Sequence, residues 1–203
     1  KILMGLIRPS GGHAEILNQG LGQRSLRRRL GYLPEHHRFP EYLTGGQALD
    51  YYGRLAGMSG AEIRKRQPEV LERVGMDNWA ATQIRNYSKG MSQRLGLAQA
   101  MIHNPDIYFL DEPTDGVDPV GRTEIREVLK QLANEKKTIF INSHLLQEVE
   151  LVCERVAIVT KGEVLKTGTM KEITARKPQV HIIVDKSCEP LRGQIKEIMG
   201  ADY

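Results

Sequence analysis

The run Ile107-Tyr108-Phe109-Leu110-Asp111-Glu112 constrains this chain more than any other stretch. Its apolar part does not alternate, which marks a strand covered on both faces, and it closes on two carboxylates. Thr138-Ile139-Phe140-Ile141-Asn142 follows after a stretch of helical period, Val120–Glu135, and reads as a second buried strand, closed by Ser143-His144. Strands of this kind separated by helices belong in a largely parallel sheet with helices on its faces. Successive parallel strands finish on one edge, and open α/β sheets bind ligands outside the carboxyl ends of their strands. Asp111, Glu112 and His144 are therefore expected to meet.

The rest of the chain is arranged around that sheet. Lys1–Ile7 reads as the tail of a helix stopped by Arg8-Pro9-Ser10-Gly11-Gly12, and the first residue is not Met, so the sequence is expected to lack its true N-terminus. His13–Leu17 and Leu30–Leu33 are short strand candidates. The span from about 41 to 103 reads as a helical insert of three helices. Thr44 caps the first, to about Gly57, with Leu49, Tyr52, Leu55 and Ala56 as its core face; the others run Gly60–Val74 and Ser88–His103. Beyond the second strand, Leu145–Cys153 is a helix, and Arg155–Thr160 and Glu163–Lys166 flank Lys161-Gly162 as a tight hairpin. The main domain is expected over 1–168. A C-terminal extension over 169–203 carries a strand at His181–Val184 and a helix at Leu191–Met199. A chain of 203 residues buries about 70% of its extended surface, so its core needs no staple. Cys153 and Cys188 form no CxxC and fit a reducing compartment, and no apolar stretch is long enough to span a bilayer.

At the sheet edge, Asp111 is placed to hold Mg²⁺, through waters, because that ion sheds its hydration shell reluctantly. Glu112 beside it is placed to orient a water for attack on a phosphoryl group. Gly116-Val117-Asp118-Pro119 follows closely. Upstream, Tyr87-Ser88-Lys89-Gly90-Met91 opens a helix, where a Ser hydroxyl and free backbone N–H groups can face an anion and Lys89 adds positive charge. Each feature has a plainer reading: a solvated acidic turn, a helix cap at Ser88, a surface histidine at His144. Their joint order and spacing favour the chemical one.

These segments resemble the nucleotide-binding subunit of ATP-binding-cassette (ABC) transporters over about residues 1–168. YSKGM (87–91) resembles the signature loop, IYFLDE (107–112) the Walker B strand with its catalytic Glu, GVDP (116–119) the D-loop, NSH (142–144) the switch histidine, and GYLPE (31–35) the loop that normally carries Gln. The resemblance implies a P-loop NTPase-like α/β fold with an inserted helical subdomain, and an ATPase that uses ATP and Mg²⁺. It implies that Asp111 takes Mg²⁺ and that Glu112 acts as general base or water orienter. His144 contacts the γ-phosphate, and Asp118 links the sites of two subunits. Ser88 and Gly90, within the loop that also holds Lys89 and Met91, grip ATP held mainly by a second cassette in a head-to-tail dimer. Glu35 stands where Gln is usual and remains an oxygen ligand for Mg²⁺ or water, without donors. Lys89 and Met91 replace the usual Gly and Gln. No GxxxxGK[ST] phosphate loop occurs; in the family it precedes a helix ending like KILMGLIRPSGG, so the missing piece fits just before Lys1 and the chain alone is expected to be inactive. The Glu35 loop and KGEVLKTGT (161–169) resemble ABC-2 or multidrug exporters. The implied partner is a membrane-spanning subunit, with the cassette on the cytoplasmic face of the membrane.

Other features fit structural roles better. Arg24, Arg27, Arg28 and Arg29 form a basic cluster without interleaved aromatics and read as a solvated face, so no nucleic-acid partner is expected. His36-His37 lacks further Cys or His at ligand spacing, and Trp79 is assigned to packing. Two rival functions stand beside ATP-driven transport: a soluble ABC-fold ATPase outside transport, disfavoured by the short interval from Glu35 to Ser88 and the single signature motif, and a non-catalytic fragment or regulatory protein, which the absent phosphate loop would favour.

Overall fold

The computed structural model describes residues 1–174 and divides into two compact units, Lys1–Glu154 and one that starts at Arg155. Cys188 and the strand and helix expected at His181–Val184 and Leu191–Met199 lie outside the described residues.

The first unit opens with a turn rather than a helix. Leu6 N–H donates to Lys1 O and Gly5 N–H to Ile2 O, with Gly5 at φ 67°, which is the hydrogen-bond pair that closes a helix through a left-handed glycine. The closing residue is Gly5, earlier than the expected stop at Arg8-Pro9. The strand expected at His13–Leu17 is half of a small hairpin, β1 (Glu15–Ile16) and β2 (Gln19–Gly20), turned by Leu17 and Asn18 at positive φ. A single helical turn, α1 (Arg24–Arg27), leads into β3 (Leu30–Leu33). The arginines after it are engaged: Arg29 pairs with Asp106, and the Arg28 guanidinium lies against Gly57 at the end of the next helix, where a cation meets the negative end of the helix dipole.

The insert forms as its caps dictate. In α2 (Gly45–Leu55) and α3 (Gly60–Arg73), Thr44 with Gln47 and Ser59 with Glu62 make reciprocal capping boxes. After α3, Tyr87 anchors the approach to α4 (Lys89–Met101) by donating its hydroxyl to Trp79 O at 2.7 Å, and Gly45 leaves room for that hydroxyl. The buried stripe of α2 is Ala48, Leu49 and Gly53; Leu55 and Trp79, both expected to pack, are 66% and 47% exposed.

The sheet follows: β4 (Ile107–Asp111), α5 (Pro119–Asn134), β5 (Thr138–Asn142) and α6 (Leu146–Val152). Strand order is β3-β4-β5, all parallel. Ile107 and Tyr108, on opposite faces of central β4, are both buried, as its uninterrupted apolar run required. β5 departs from expectation. Ile139 and Ile141 turn onto the core, but Phe140 on the other face is 54% exposed and stacks on Phe109. One core runs from the insert into the sheet, joining Leu49, Val70, Leu95, Met101, Tyr108, Ile125 and Leu132. No helix among the described residues is long and apolar enough to cross a membrane.

In the second unit, β6 (Arg155–Thr160) and β7 (Glu163–Thr169) form the expected hairpin about Lys161-Gly162, both at positive φ, and α7 (Met170–Thr174) follows.

Candidate active site

The register of the parallel ladder sets the site. Leu33 lies opposite Leu110 and Asp111 opposite Asn142, so the chain leaves all three strands at one edge and delivers Glu35, Asp111-Glu112 and Ser143-His144 there. Asp111 Oδ1 accepts from Asn142 Nδ2 at 2.7 Å. Tyr32 has its phenol pKa raised, first by burial and then by the charge of Asp111, so the β3 strand end is electrostatically coupled to that carboxylate. Glu35 reaches the same edge but is half-exposed, with the exposed His36 ring 3.9 Å from its carboxylate. Among the described residues no three His, Cys, Asp or Glu side chains gather as a metal site. That is compatible with Mg²⁺, which commonly takes only one or two carboxylates from protein and fills its shell with water and phosphate.

Glu112 is the most constrained residue at the edge. It is 8% exposed and holds φ at 49°, a left-handed conformation unusual for a side-chain-bearing residue. Its N–H donates to Asn142 O at 2.9 Å, and its carbonyl accepts from Gln93 Nε2 at 2.9 Å and from Asp115 N–H at 3.1 Å. Its carboxylate accepts from Ser143 Oγ at 3.1 Å and from His144 N–H at 2.8 Å, while His144 Nδ1 lies 2.8 Å from Oε1. Two acceptors would repel at that distance, so Nδ1 carries a proton. The rest of the His144 ring faces outward, with 70% of the side chain exposed. The result is an oriented carboxylate with a solvent-facing imidazole beside it.

At the start of α4, Ser88 is the N-cap and its Oγ accepts from Met91 N–H at 3.1 Å, which leaves the hydroxyl proton to donate elsewhere. Met91 donates its N–H to Ser88, and its side chain packs on the core. Lys89 differs from expectation. Rather than facing the helix start, its ammonium bonds Asp115 Oδ2 at 2.7 Å, and that bond is the main reason the Asp115 carboxyl is held below its ordinary value. The Lys89 stem crosses Gly116, where an added Cβ would sit 2.2 Å from Lys89 Cδ. Asp118 caps α5 by accepting from Gly121 N–H at 3.2 Å.

The edge therefore unites Asp111, Glu112 and His144 in one network, sets Glu35 nearby without contact, and leaves Ser88 and Asp118 as helix caps. Gln93 and Asp115 carry no role in the sequence reading, and Asn142 and Ser143 enter it only as part of the NSH motif. A buried Gln on an otherwise apolar helix face was the available signal for Gln93; the others owe their places to cross-strand register and to a turn.

A parallel sheet with carboxylates at the carboxyl ends of its strands is an α/β arrangement whose ligand sites lie at that edge. The family described as "ABC transporter" matches residues 1–115, and the chain belongs to it. It is 45% identical over 184 residues to an uncharacterized ABC transporter ATP-binding protein of Nostoc sp., covering 90% of this chain and 55% of that protein. It is 34% identical over 177 residues to a daunorubicin resistance ATP-binding protein of Streptomyces coeruleorubidus, covering 86% and 56%. The chain thus spans about half the length of the curated relatives it matches. Among solved structures it resembles an ATP-binding cassette captured as a post-hydrolysis dimer with ADP and Pi, at TM-score 0.75 and 26% identity over 83% of this chain and 77% of that one.

Proposed function

We propose that these residues belong to the ATP-hydrolysing subunit of an ABC transporter, with the cassette over 1–168 and an appendage over 169–203. The observation that carries this reading is the Glu112 carboxylate, fixed at the end of β4 by Ser143 and His144 beside Asp111. Glu112 would orient the attacking water, and His144 would meet the γ-phosphate from the exposed side of its ring. Asp111 would hold Mg²⁺, with Glu35 contributing through water. Bound Mg²⁺ would supply charge neutralisation to the β- and γ-phosphate oxygens.

Ser88 and Gly90 would face ATP held by a second cassette arranged head to tail, and Asp118 would lie between the two sites. In support, a Cβ at Gly90 would have no neighbour closer than 3.6 Å within the chain, so intrachain packing does not demand glycine there, whereas close approach of a phosphate would. A membrane-spanning subunit would couple closure of the pair to transport, from the cytoplasmic face of the membrane. The drug-resistance relative supports export as the direction.

A phosphate-loop segment joined ahead of Lys1 is expected to confer Mg²⁺-dependent ATP hydrolysis. Glu112→Gln in that protein is expected to lower turnover about 10²–10⁴-fold with ATP binding retained by calorimetry. Parental turnover in Glu112→Gln would refute the reading. The chain without that segment is expected to bind Mg-ATP weakly, because it lacks the N–H cradle and Lys of the phosphate loop.

A further inference from the structure

We propose that Gln93 is a positioning residue for hydrolysis: from the second turn of α4 it fixes the left-handed backbone of Glu112, so that the start of α4 and the catalytic turn move as one body. The proposal rests on Glu112 being the water-orienting group.

A side-chain-bearing residue persists at positive φ only where its surroundings over-determine it. At Glu112, Asn142 O holds the N–H, and the carbonyl is held by Asp115 N–H from within the turn and by Gln93 Nε2 from α4. Gln93 therefore supplies the hydrogen bond that reaches the Glu112 backbone from a helix. It is 4% exposed, and the other buried positions of α4 are Leu95, Gly96, Leu97, Ala98, Ala100 and Met101. A primary amide among such neighbours is costly unless its donors are used, and here one is used on the carbonyl of the catalytic residue.

A second bolt lies one turn nearer the helix start. Lys89 reaches over Gly116 to Asp115. The first two turns of α4 thus grip both ends of the turn 112–116. A ligand that pulls on the start of α4 acts on the Glu112 carbonyl through Gln93, and the Glu112 carboxylate is already seated on Ser143 and His144. A small shift of α4 then changes where that carboxylate points.

The test uses two variants. Gln93→Met keeps an unbranched side chain of similar length without donors, and Gln93→Glu keeps the shape but, ionised, only accepts. Site-resolved hydrogen exchange on the chain itself is expected to show the Asp115 amide, whose acceptor is the Glu112 carbonyl, opening about tenfold faster in Gln93→Met, with Tyr108 and Leu110 unchanged. In the protein carrying a phosphate loop, both variants are expected to lower kcat roughly tenfold or more with KM for ATP unchanged. Should the buried ionised Glu prevent folding, Gln93→Met decides alone. Parental kcat in Gln93→Met, or faster exchange spread evenly through the core, overturns the proposal and makes Gln93 a packing residue. Glu112→Gln assayed in parallel separates the two levels. If it is inactive while Gln93→Met is parental, only the positioning role fails; if it turns over normally, the assignment of Glu112 and the proposal fall together.

Discussion

The helical insert and the sheet edge are built on different logic. In the insert each helix is specified within its own few residues: Thr44 with Gln47 and Ser59 with Glu62 start α2 and α3, and Gly57 at φ 87° follows the end of α2. At the sheet edge almost nothing is local. Glu112 takes its shape from Asn142, Ser143 and His144 across the ladder and from Gln93 in the insert. Local specification gives stability that one substitution dents, whereas non-local specification gives a geometry that several distant residues can each spoil.

The sharpest test of this contrast compares packing on the two sides. Leu95 is fully buried in α4 at the junction of insert and sheet, and Leu95→Ala is expected to cost about 2–5 kcal/mol. Phe140, on the outer face of β5, is 54% exposed, and Phe140→Ala is expected to cost about 1 kcal/mol or less. Chemical denaturation of the two variants checks the ranking, and comparable losses would mean that the outer face of β5 is covered in solution.

Next in size are the caps. Ser59→Ala removes the acceptor for Glu62 N–H and is expected to cost about 1 kcal/mol, confined to the insert. Ser88→Gly separates capping from ligand contact, because glycine caps nearly as well as serine. Its stability is expected to stay within a few tenths of a kcal/mol of the parent. ATP-driven pairing of phosphate-loop-bearing cassettes, followed by light scattering, should weaken. Unchanged pairing would leave Ser88 as a cap alone.

What the sequence disclosed follows the same division. Helix limits in the insert were readable to within a residue or two, because the caps and the period lie in the residues themselves. The meeting of Asp111, Glu112 and His144 was readable because parallel strands must end together. The exposure of Phe140 was not, since TIFIN looks the same whether one face or both are covered. The β1–β2 hairpin was missed because Leu17-Asn18 is a weak turn signal beside Asn-Gly. Gln93 and Asp115 escaped for another reason: their partners are a backbone carbonyl and a lysine ammonium in elements distant in sequence, and neither leaves a spacing to read.

The smallest expected effect lies where the two regions touch, at Lys89 and Asp115. The ammonium holds the Asp115 carboxyl below its ordinary value, with lesser help from the Gly116 N–H and the nearby His144, and burial opposes the shift. A carboxyl whose pKa is lower folded than unfolded contributes stability above its unfolded value, and that contribution is lost as pH falls through the folded value. Both side chains are substantially exposed, so the pair is expected to be worth under about 1 kcal/mol near neutral pH and less at high salt. Lys89→Met is expected to move the Asp115 midpoint up toward the ordinary carboxylate range, followed through its carboxyl carbon by NMR titration. The difference in stability between parent and variant should shrink to nothing once the pH lies below both midpoints. An unmoved Asp115 midpoint would show that Lys89 is not seated there in solution, and the ammonium would then be available to the anion site at the start of α4.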